Sequence, residues 1–454
     1  MAYQDLRGFL KRLEEVEGEL VRITEELSPR LEMSAVLKRA GAGEGPVVLF
    51  EKVAGYPGVS VVGNVLGTRR RLAVALGVSI EVLEEEYIKR RQNLIPPEVV
   101  DGGPVKEVAI RRNVDLLKTV PVLVHHEKDA GPYISAGVVI AKDPETGVRS
   151  CGIHRLQIKG RDKMGVLLAN PPLADYFAKA EAAGKPLDVA VAVGVDPYIL
   201  TASVARGGPG MDKLALAGGL KGEAIKLVKG ETVDVEVPAS AEYVIEGRVL
   251  PHIREEEGPF GESTGYYLTF SNPVIQVTAI TSRKNPIFQA IDPWGMEADT
   301  LILVGYGAEM FRELRELIPG VKAFHLVPGT CASHAIIALD EMGRSQARRA
   351  LLLALTLYPP LKKVVAVDTD VNIYDPKEVE WAVATRFQAS RDLILLQNLQ
   401  GLGIDPSLID GKTSKMGLDA TTKPGGPAGK FDKIAVPEEM DKKAKELLRK
   451  YLRA

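Results

Sequence analysis

The spacing of hydrophobic residues divides the chain into three stretches with different patterns. Apolar positions recur at helical spacing over residues 4–40, which predicts that the chain begins with helices. Apolar runs bounded by glycine and proline at 47–50 and 59–62 predict two short strands. A segment rich in proline and glycine, 96–104, marks the first predicted boundary, so residues 1–104 form an N-terminal α/β region.

Recurrent short strands rich in valine and isoleucine occupy the middle of the chain, residues 105–297. One helix, near 173–184, interrupts them, and this combination predicts a small β-barrel or sandwich domain. The last stretch, residues 298–454, alternates strands and helices, with a strand at 301–304 and a helix from Ala308, and this predicts an open α/β sheet. The overall prediction is a mixed α/β protein of three domains.

The C-terminal tail, residues 438–454, combines basic residues with a helical spacing of apolar ones. This pattern predicts an amphipathic helix that packs on a partner subunit or on the core of its own chain rather than on a membrane.

Composition excludes several classes of protein. With 454 residues, 45% hydrophobic and 26% charged residues, and a net charge of −2, the chain is predicted to be a soluble globular protein. Lysine and arginine are interspersed with acids, which argues against nucleic-acid binding. The absence of an apolar run of about 18 residues and of a secretory leader predicts a cytoplasmic protein without a membrane span. The two cysteines, Cys151 and Cys331, are too few for a disulfide framework.

A pair of glutamates, Glu257 and Glu262, flanks the sequence Gly-Pro-Phe-Gly. Because glycine and proline are unsuited to a helix interior, this segment is predicted to be a rigid loop. Two acids held on a stiff loop can divide the work of acid–base chemistry, one as proton donor and one as a charge. A solvated acidic turn is the alternative for an isolated pair.

Other motifs are less specific. Arg155 lies in a short strand pattern soon after a turn, and its guanidinium can fork onto a carboxylate. One arginine with two nearby glutamates can hold a substrate acid, although a surface arginine is the default. The segment 305–307 (GYG) resembles part of a dinucleotide-binding loop without the last glycine, so a tight strand-to-helix turn is the better interpretation. Asp368 and Asp370 at a strand end suit either a metal or a helix cap. Zinc-hydrolase, nucleophile-elbow and P-loop motifs are absent.

Six segments, taken together and in order, resemble the UbiD family of decarboxylases. The segments are 155–157 (RLQ), 237–242 (VPASAE), 257–262 (EGPFGE), 367–371 (VDTDV), 380–386 (EWAVATR) and 415–421 (KMGLDAT). The resemblance implies an N-terminal α/β region, a central split β-barrel like that of flavin reductases, and a C-terminal α/β domain used in oligomerisation. It also implies prenylated FMN as the cofactor.

The resemblance implies roles for particular residues. Glu262 matches the family's proton donor, and Arg155 with Glu257 matches the residues that orient cofactor and substrate carboxylate. The cofactor-binding positions that it implies are Ser150, Ile153, His154, Arg155, Lys213 and Lys415.

The chain departs from the family at the divalent metal, usually manganese, that relatives hold between the cofactor phosphate and an Asn, a His and a Glu. The matching positions are Ser150, Pro171 and Lys213, unless a shifted alignment uses Asn170 or Asp212. A lysine can pair with a phosphate directly, whereas a carboxylate needs a cation in between. This substitution predicts cofactor binding without a metal ligand set.

The predicted function is therefore the reversible, non-oxidative decarboxylation of an α,β-unsaturated or aromatic carboxylic acid. The alternative is a flavin- or nucleotide-binding homologue that lost turnover together with the metal site. The resemblance further implies a flavin prenyltransferase as supplier of the cofactor, and a homodimer or homohexamer. The identity of the acid stays open.

Overall fold

In the computed structural model, residues 5–208, 210–423, 431 and 433–452 are described. The strands are β1 Leu20–Leu27, β2 Val47–Val53, β3 Ser60–Gly63, β4 Glu98–Val99, β5 Val108–Ile110, β6 Tyr133–Ile134, β7 Val138–Lys142, β8 Arg149–Ile153, β9 Leu156–Ile158, β10 Lys163–Val166, β11 Leu187–Val193, β12 Lys226–Lys229, β13 Glu236–Pro238, β14 Tyr243–Gly261, β15 Tyr267–Ser282, β16 Ile287–Ala290, β17 Val321–Leu326, β18 His334–Leu339, β19 Lys363–Asp368, β20 Leu393–Gln400 and β21 Lys412–Asp419. The helices are α1 Leu6–Glu14, α2 Glu32–Ala40, α3 Arg69–Leu76, α4 Leu83–Arg91, α5 Leu116–Thr119, α6 Leu173–Ala182, α7 Pro197–Val204, α8 Lys213–Lys221, α9 Met296–Leu317, α10 Glu341–Arg344, α11 Ala347–Leu357, α12 Pro376–Arg386, α13 Ala389–Asp392 and α14 Glu438–Leu452, with 3₁₀ turns at Ile80–Val82 and Pro104–Lys106.

The central sheet has nine strands and positions the candidate site. Its order is β6-β9-β10-β15-β14-β11-β7-β8, and β5 adds to β15. The valines of β11 pack into one hydrophobic core and its alanines into another, because successive side chains point to opposite faces of a strand. The end strands β6 and β8 do not pair with each other, so the described residues form no closed barrel. The mixed α/β fold is confirmed, whereas the split-barrel assignment is not.

The N-terminal sheet has the order β1-β2-β3-β16. Its last strand, β16, follows the long strand β15 in sequence and pairs in parallel with β3, which joins the first part of the chain to the central part. Helix α1 begins where the Asp5 carboxylate accepts the Gly8 N–H at 2.8 Å. Its buried residues Leu6, Phe9, Leu10 and Leu13 recur at helical spacing, as the sequence predicts.

The C-terminal sheet has the order β17-β18-β19-β21-β20, with parallel pairs in the middle and antiparallel pairs at both edges. Helices α9 and α11 pack against it through a third hydrophobic core. This open sheet agrees with the prediction for the last third of the chain. Helix α14 agrees with the predicted amphipathic tail, whose residues 453–454 lie outside the described residues.

Two predictions of secondary structure are wrong. A strand, β1, lies between α1 and α2 where helices alone are expected, because its pairing with β2 is a contact distant in sequence. The predicted strand at 301–304 and the turn at 305–307 both lie inside helix α9. Its buried positions include 301, 304, 305 and 308, a helical spacing that a short apolar run conceals.

The predicted loop around Glu257 and Glu262 also differs from the structure. Residues 257–261 form the end of β14, where Glu257 pairs with Phe270 and Phe260 pairs with Leu268. The two residues between them, Gly258 and Pro259, are accommodated as a bulge, which redirects the strand without ending its pairing. None of the helices in the described ranges combines the length and the apolar character that a membrane crossing requires.

Candidate active site

Arg155 joins the two predicted glutamates at the centre of the candidate site. It lies between β8 and β9, and its Nη2 donates to Glu257 Oε2 at 2.5 Å while its Nη1 donates to Glu262 Oε1. The side chains of Arg155, Glu257 and Glu262 are 6%, 0% and 10% exposed. One guanidinium therefore holds two buried carboxylates that come from 102 and 107 residues further along the chain.

Aromatic and amide groups surround this arginine–glutamate cluster, by which we mean Arg155, Glu257 and Glu262. The rings of Phe260 and Phe270 lie 5.0 and 5.2 Å from the guanidinium carbon. Asn272, on the strand paired with β14, donates to Glu257 Oε2 at 2.9 Å. Burial and the nearby charge of Glu257 raise the pKa of Tyr133 far above its usual range, so the phenol stays protonated.

A tight turn follows Glu262 and holds its carboxylate. The Ser263 N–H donates to Glu262 Oε2 at 3.1 Å, and the Gly265 N–H donates to the Glu262 carbonyl at 2.8 Å. Gly261, the residue before Glu262, is held by Asp129. The Asp129 carboxylate accepts the Gly261 N–H at 2.9 Å and the His126 N–H at 2.8 Å. Asn272 and Asp129 are not identifiable from sequence, because nothing in their local sequence signals their contacts with Glu257 and Gly261. Ser263 directly follows Glu262, but no motif marks its N–H as a donor to that carboxylate.

Lys213, the first residue of helix α8, is a further predicted site residue. The residue is 6% exposed, and its ammonium donates to the Ser203 carbonyl at 2.9 Å. No carboxylate among the described residues forms an ion pair with it, and burial lowers its pKa. Ser150 is fully buried, and its Oγ makes no hydrogen bond with the described residues.

His154 belongs to the same region. Its Nδ1 lies 2.8 Å from the Leu167 carbonyl, and burial lowers its pKa to about 4, so the imidazole is neutral at pH 7. Ile153, at the end of β8, is half-buried. The structure thus places Ser150 and Ile153 on β8 and His154 directly after it, next in sequence to Arg155. The Lys213 charge also lowers the pKa of His154, so these two side chains lie near each other.

Lys415 does not join either group. Its ammonium donates to the carbonyls of Leu355, Tyr358 and Pro359 at 3.0, 3.3 and 2.9 Å. All three protons of the ammonium are thus used at the C-terminal end of helix α11, where a cation is favoured. Its assignment to the cofactor stays a prediction.

The acids at the end of β19 also form ion pairs within the protein. Asp368 accepts from Arg344 at 2.7 Å and from Arg386 at 3.0 Å, and Asp370 accepts from Arg386 at 2.6 Å. Helix α12 is capped by Asp375 instead, which accepts the Lys377 N–H at 2.9 Å. These aspartates therefore use their charge to hold the C-terminal sheet together.

The Lys213 side chain fits an anion. It offers a buried ammonium without a carboxylate partner at the start of a nine-residue helix, and such groups bind phosphate. A lysine ammonium does not fit a divalent metal, and the described residues hold no group of three His, Cys, Asp or Glu side chains that could bind one. Asp212, the one nearby acid considered from sequence, pairs with Arg149 at 2.7 Å and caps α8 through the Leu214 N–H at 2.9 Å. Asn170 is exposed.

Comparisons with known proteins identify the family of this chain. Three profiles, described as the N-terminal domain, the Rift-related domain and the C-terminal domain of 3-octaprenyl-4-hydroxybenzoate carboxy-lyase (UbiD), match residues 10–90, 98–295 and 299–420. The chain is 36% identical over 446 residues to the anhydromevalonate phosphate decarboxylase of Methanosarcina mazei, covering 97% of this chain and 100% of that protein.

Solved structures show the same relation. The UbiD-class enzyme HmfF from Pelotomaculum thermopropionicum in complex with FMN is 44% identical, has a TM-score of 0.91, and covers 96% of this chain and 98% of its own. An evolved dimeric form of HmfF in complex with prenylated FMN is 42% identical, with a TM-score of 0.87 and coverage of 97% and 98%. The chain belongs to the UbiD family of carboxy-lyases.

Proposed function

We propose that this protein catalyses the reversible, non-oxidative decarboxylation of an α,β-unsaturated or aromatic carboxylic acid with prenylated FMN. The observation that carries the proposal is the bridge from Arg155 to both Glu257 and Glu262 in a buried setting. A buried cluster of one cation and two carboxylates is a candidate reaction centre. The Arg386–Asp368 pair is also buried, but only the Arg155 cluster carries the residues that the family resemblance assigns to the reaction. The chemistry that prenylated FMN supplies when bound is an electron sink for the carbon that loses carbon dioxide.

The residues of the cluster have different tasks in this proposal. The bond between the substrate carbon and its carboxylate breaks, carbon dioxide leaves, and the electron pair stays with the carbon. Glu262 then gives its proton to that carbon, so that hydrogen replaces the carboxylate. Arg155 orients the substrate carboxylate, and Glu257, held by Asn272, fixes the guanidinium. Solvent returns a proton to Glu262, whose side chain is the more exposed of the two glutamates.

Glu262→Gln tests this division of tasks, since it keeps the shape of the side chain and removes the acid. We expect turnover to fall by about 100-fold or more with the flavin still bound, because a positioned general acid contributes about 10²–10⁴-fold. Glu255→Gln is the matched control, because Glu255 pairs with Lys159 and Lys163 outside the cluster. Retention of full activity in Glu262→Gln would refute the role of Glu262.

For the cofactor phosphate we propose Lys213 and Ser150 as the binding groups, without a divalent metal. The buried, unpaired ammonium supports this, because an anion would compensate its charge. We expect protein stripped of metal by a chelator to retain its flavin, and Lys213→Met to lose it, as measured by flavin absorbance after gel filtration. Lys226→Met, which removes an exposed lysine, is the control. Loss of flavin on metal removal, with recovery on adding manganese, would contradict the proposal.

The alternative function is a flavin-binding homologue without decarboxylase turnover, favoured by the missing metal ligands at Ser150, Pro171 and Lys213. Protein co-produced with a flavin prenyltransferase distinguishes the two. Bound prenylated FMN together with turnover of an unsaturated acid supports the decarboxylase. Bound ordinary FMN with no turnover of any acid supports the alternative.

The substrate and the assembly belong to the same proposal. Relatives are named for anhydromevalonate phosphate and for phenolic acids, and these two acid classes are the first to screen. We also propose a cytoplasmic homodimer or homohexamer supplied by a flavin prenyltransferase. The apolar face of α14 supports an oligomer, because Met440, Leu447, Leu448 and Tyr451 are exposed.

A further inference from the structure

The turn after Glu262 contacts the C-terminal sheet through Ser263. Its Oγ lies 3.1 Å from the Sγ of Cys331, within hydrogen-bond distance for sulfur. Cys331 belongs to the connection between β17 and β18, so the two residues come from different sheets and are 68 positions apart. The thiol is buried, with 8% of the residue exposed.

Ser263 contacts the predicted proton donor as well as the cysteine. Its N–H donates to Glu262 Oε2 at 3.1 Å, while its hydroxyl contacts Cys331. The charge of Glu262 also reaches the thiol, since burial, Asp299 and Glu262 raise the pKa of Cys331 to about 11. A continuous path of contacts therefore runs from the β17–β18 connection through Ser263 to the carboxylate.

The β17–β18 connection is held in an uncommon conformation where it makes this contact. Cys331 and Ala332 have φ angles of 50° and 56°, a left-handed region that residues with a Cβ seldom adopt. Asp299, in the first turn of α9, accepts the Gly329 N–H and fixes the connection from the other side. Non-glycine residues persist in such conformations when the surrounding contacts require them, and they cluster at functional sites.

We propose that Cys331 is a positioning residue for the proton donor. Through Ser263 it holds the carboxylate of Glu262 in place, so that the proton is delivered correctly only while the β17–β18 connection lies against the turn after Glu262. This inference rests on the proposed function of Glu262. It assigns the connection between β17 and β18 a part in the reaction, although Cys331 itself makes no contact with the reacting atoms.

The kinetic test compares Cys331→Ala, Ser263→Ala and Cys331→Ser in flavin-loaded enzyme. We expect the two alanine variants to lower kcat by roughly tenfold or more, with KM and flavin content unchanged, because displacing a catalytic group by about 1 Å can cost about 100-fold. Cys331→Ser should recover most of the loss, since its hydroxyl can contact Ser263. Ser333→Ala, in the same connection but without this contact, is the control. Alanine variants with wild-type kcat would overturn the proposal.

A second measurement does not depend on turnover. The alkylation rate of Cys331, followed by peptide mass spectrometry, reports how often the β17–β18 connection leaves the turn after Glu262. We expect Ser263→Ala to raise this rate about two- to tenfold over Ser333→Ala, the factor that one weak hydrogen bond contributes to local opening. Equal rates would overturn the proposal. If the wild-type enzyme decarboxylates no acid, the proposed function fails, and the alkylation rates still decide whether Ser263 holds Cys331.

Discussion

Replacing Arg155 by methionine tests whether the arginine–glutamate cluster depends on its single cation. Methionine has a similar length and an apolar end, so it removes the guanidinium while leaving little empty space. Glu257 would then keep only the Asn272 amide as a donor, since its Oε1 has no hydrogen-bond partner among the described residues. A fully buried carboxylate and a nearly buried one would face each other without a positive charge between them.

The expected loss of stability is large for one substitution. Removing one partner of a buried ion pair costs about 3–5 kcal/mol, because the remaining charge is uncompensated. For an unfolding unit of about 150–250 residues, 1 kcal/mol lowers Tm by about 2–4 °C, so the expected decrease is about 6–20 °C.

The assay is thermal unfolding of flavin-free protein, followed by circular dichroism, so that bound cofactor does not contribute to Tm. Arg161→Met is the control, because Arg161 pairs with Asp115 at the surface with its own side chain 67% exposed. An exposed pair contributes about 0–1 kcal/mol. If Arg155→Met and Arg161→Met unfold within about 2 °C of each other, the cluster is not the buried charge arrangement described above.

Three further predictions concern other parts of the fold. Burial lowers the pKa of His154 from 6.5 to about 4, so the folded protein binds fewer protons than the unfolded chain between these pH values. The stability that the neutral His154 contributes is therefore fully present above pH 6.5 and is smaller by about 2 kcal/mol at pH 5. We expect this pH dependence to be absent from the Tm–pH profile of His154→Gln. Gly258→Ala should lower both Tm and kcat, because Gly258 has a φ of 117° and a Cβ there would lie 2.6 Å from the Leu268 carbonyl oxygen. The control is Gly160→Ala, which should change neither Tm nor kcat, because a Cβ at Gly160 would enter open space. Lys415→Met should lower the free energy of unfolding by about 1–3 kcal/mol, because it leaves three carbonyl groups without a donor. Flavin content should stay unchanged. Loss of flavin would instead support the cofactor contact implied by the family resemblance.

The local spacing of hydrophobic residues predicted many of the helices and strands, because this spacing reflects whether an element is buried on one face or on two. Strands β2 and β3 and helix α1 follow from such spacing. It was misleading for α9, because the run 301–304 has the same apolar character in a buried helix as in a buried strand. It also missed β1, whose place depends on β2, more than 20 residues further along the chain.

Motif matching identifies the family and predicts the three residues of the arginine–glutamate cluster, because the motifs carry those side chains in order along the chain. The groups that surround the cluster are set by folding. Asn272 reaches Glu257 through the register of β14 and β15, and Cys331 reaches Ser263 through packing of the C-terminal sheet. Likewise, Lys415 caps helix α11 in this structure. Such contacts depend on how distant segments pair and pack, and no local pattern of residues encodes that arrangement.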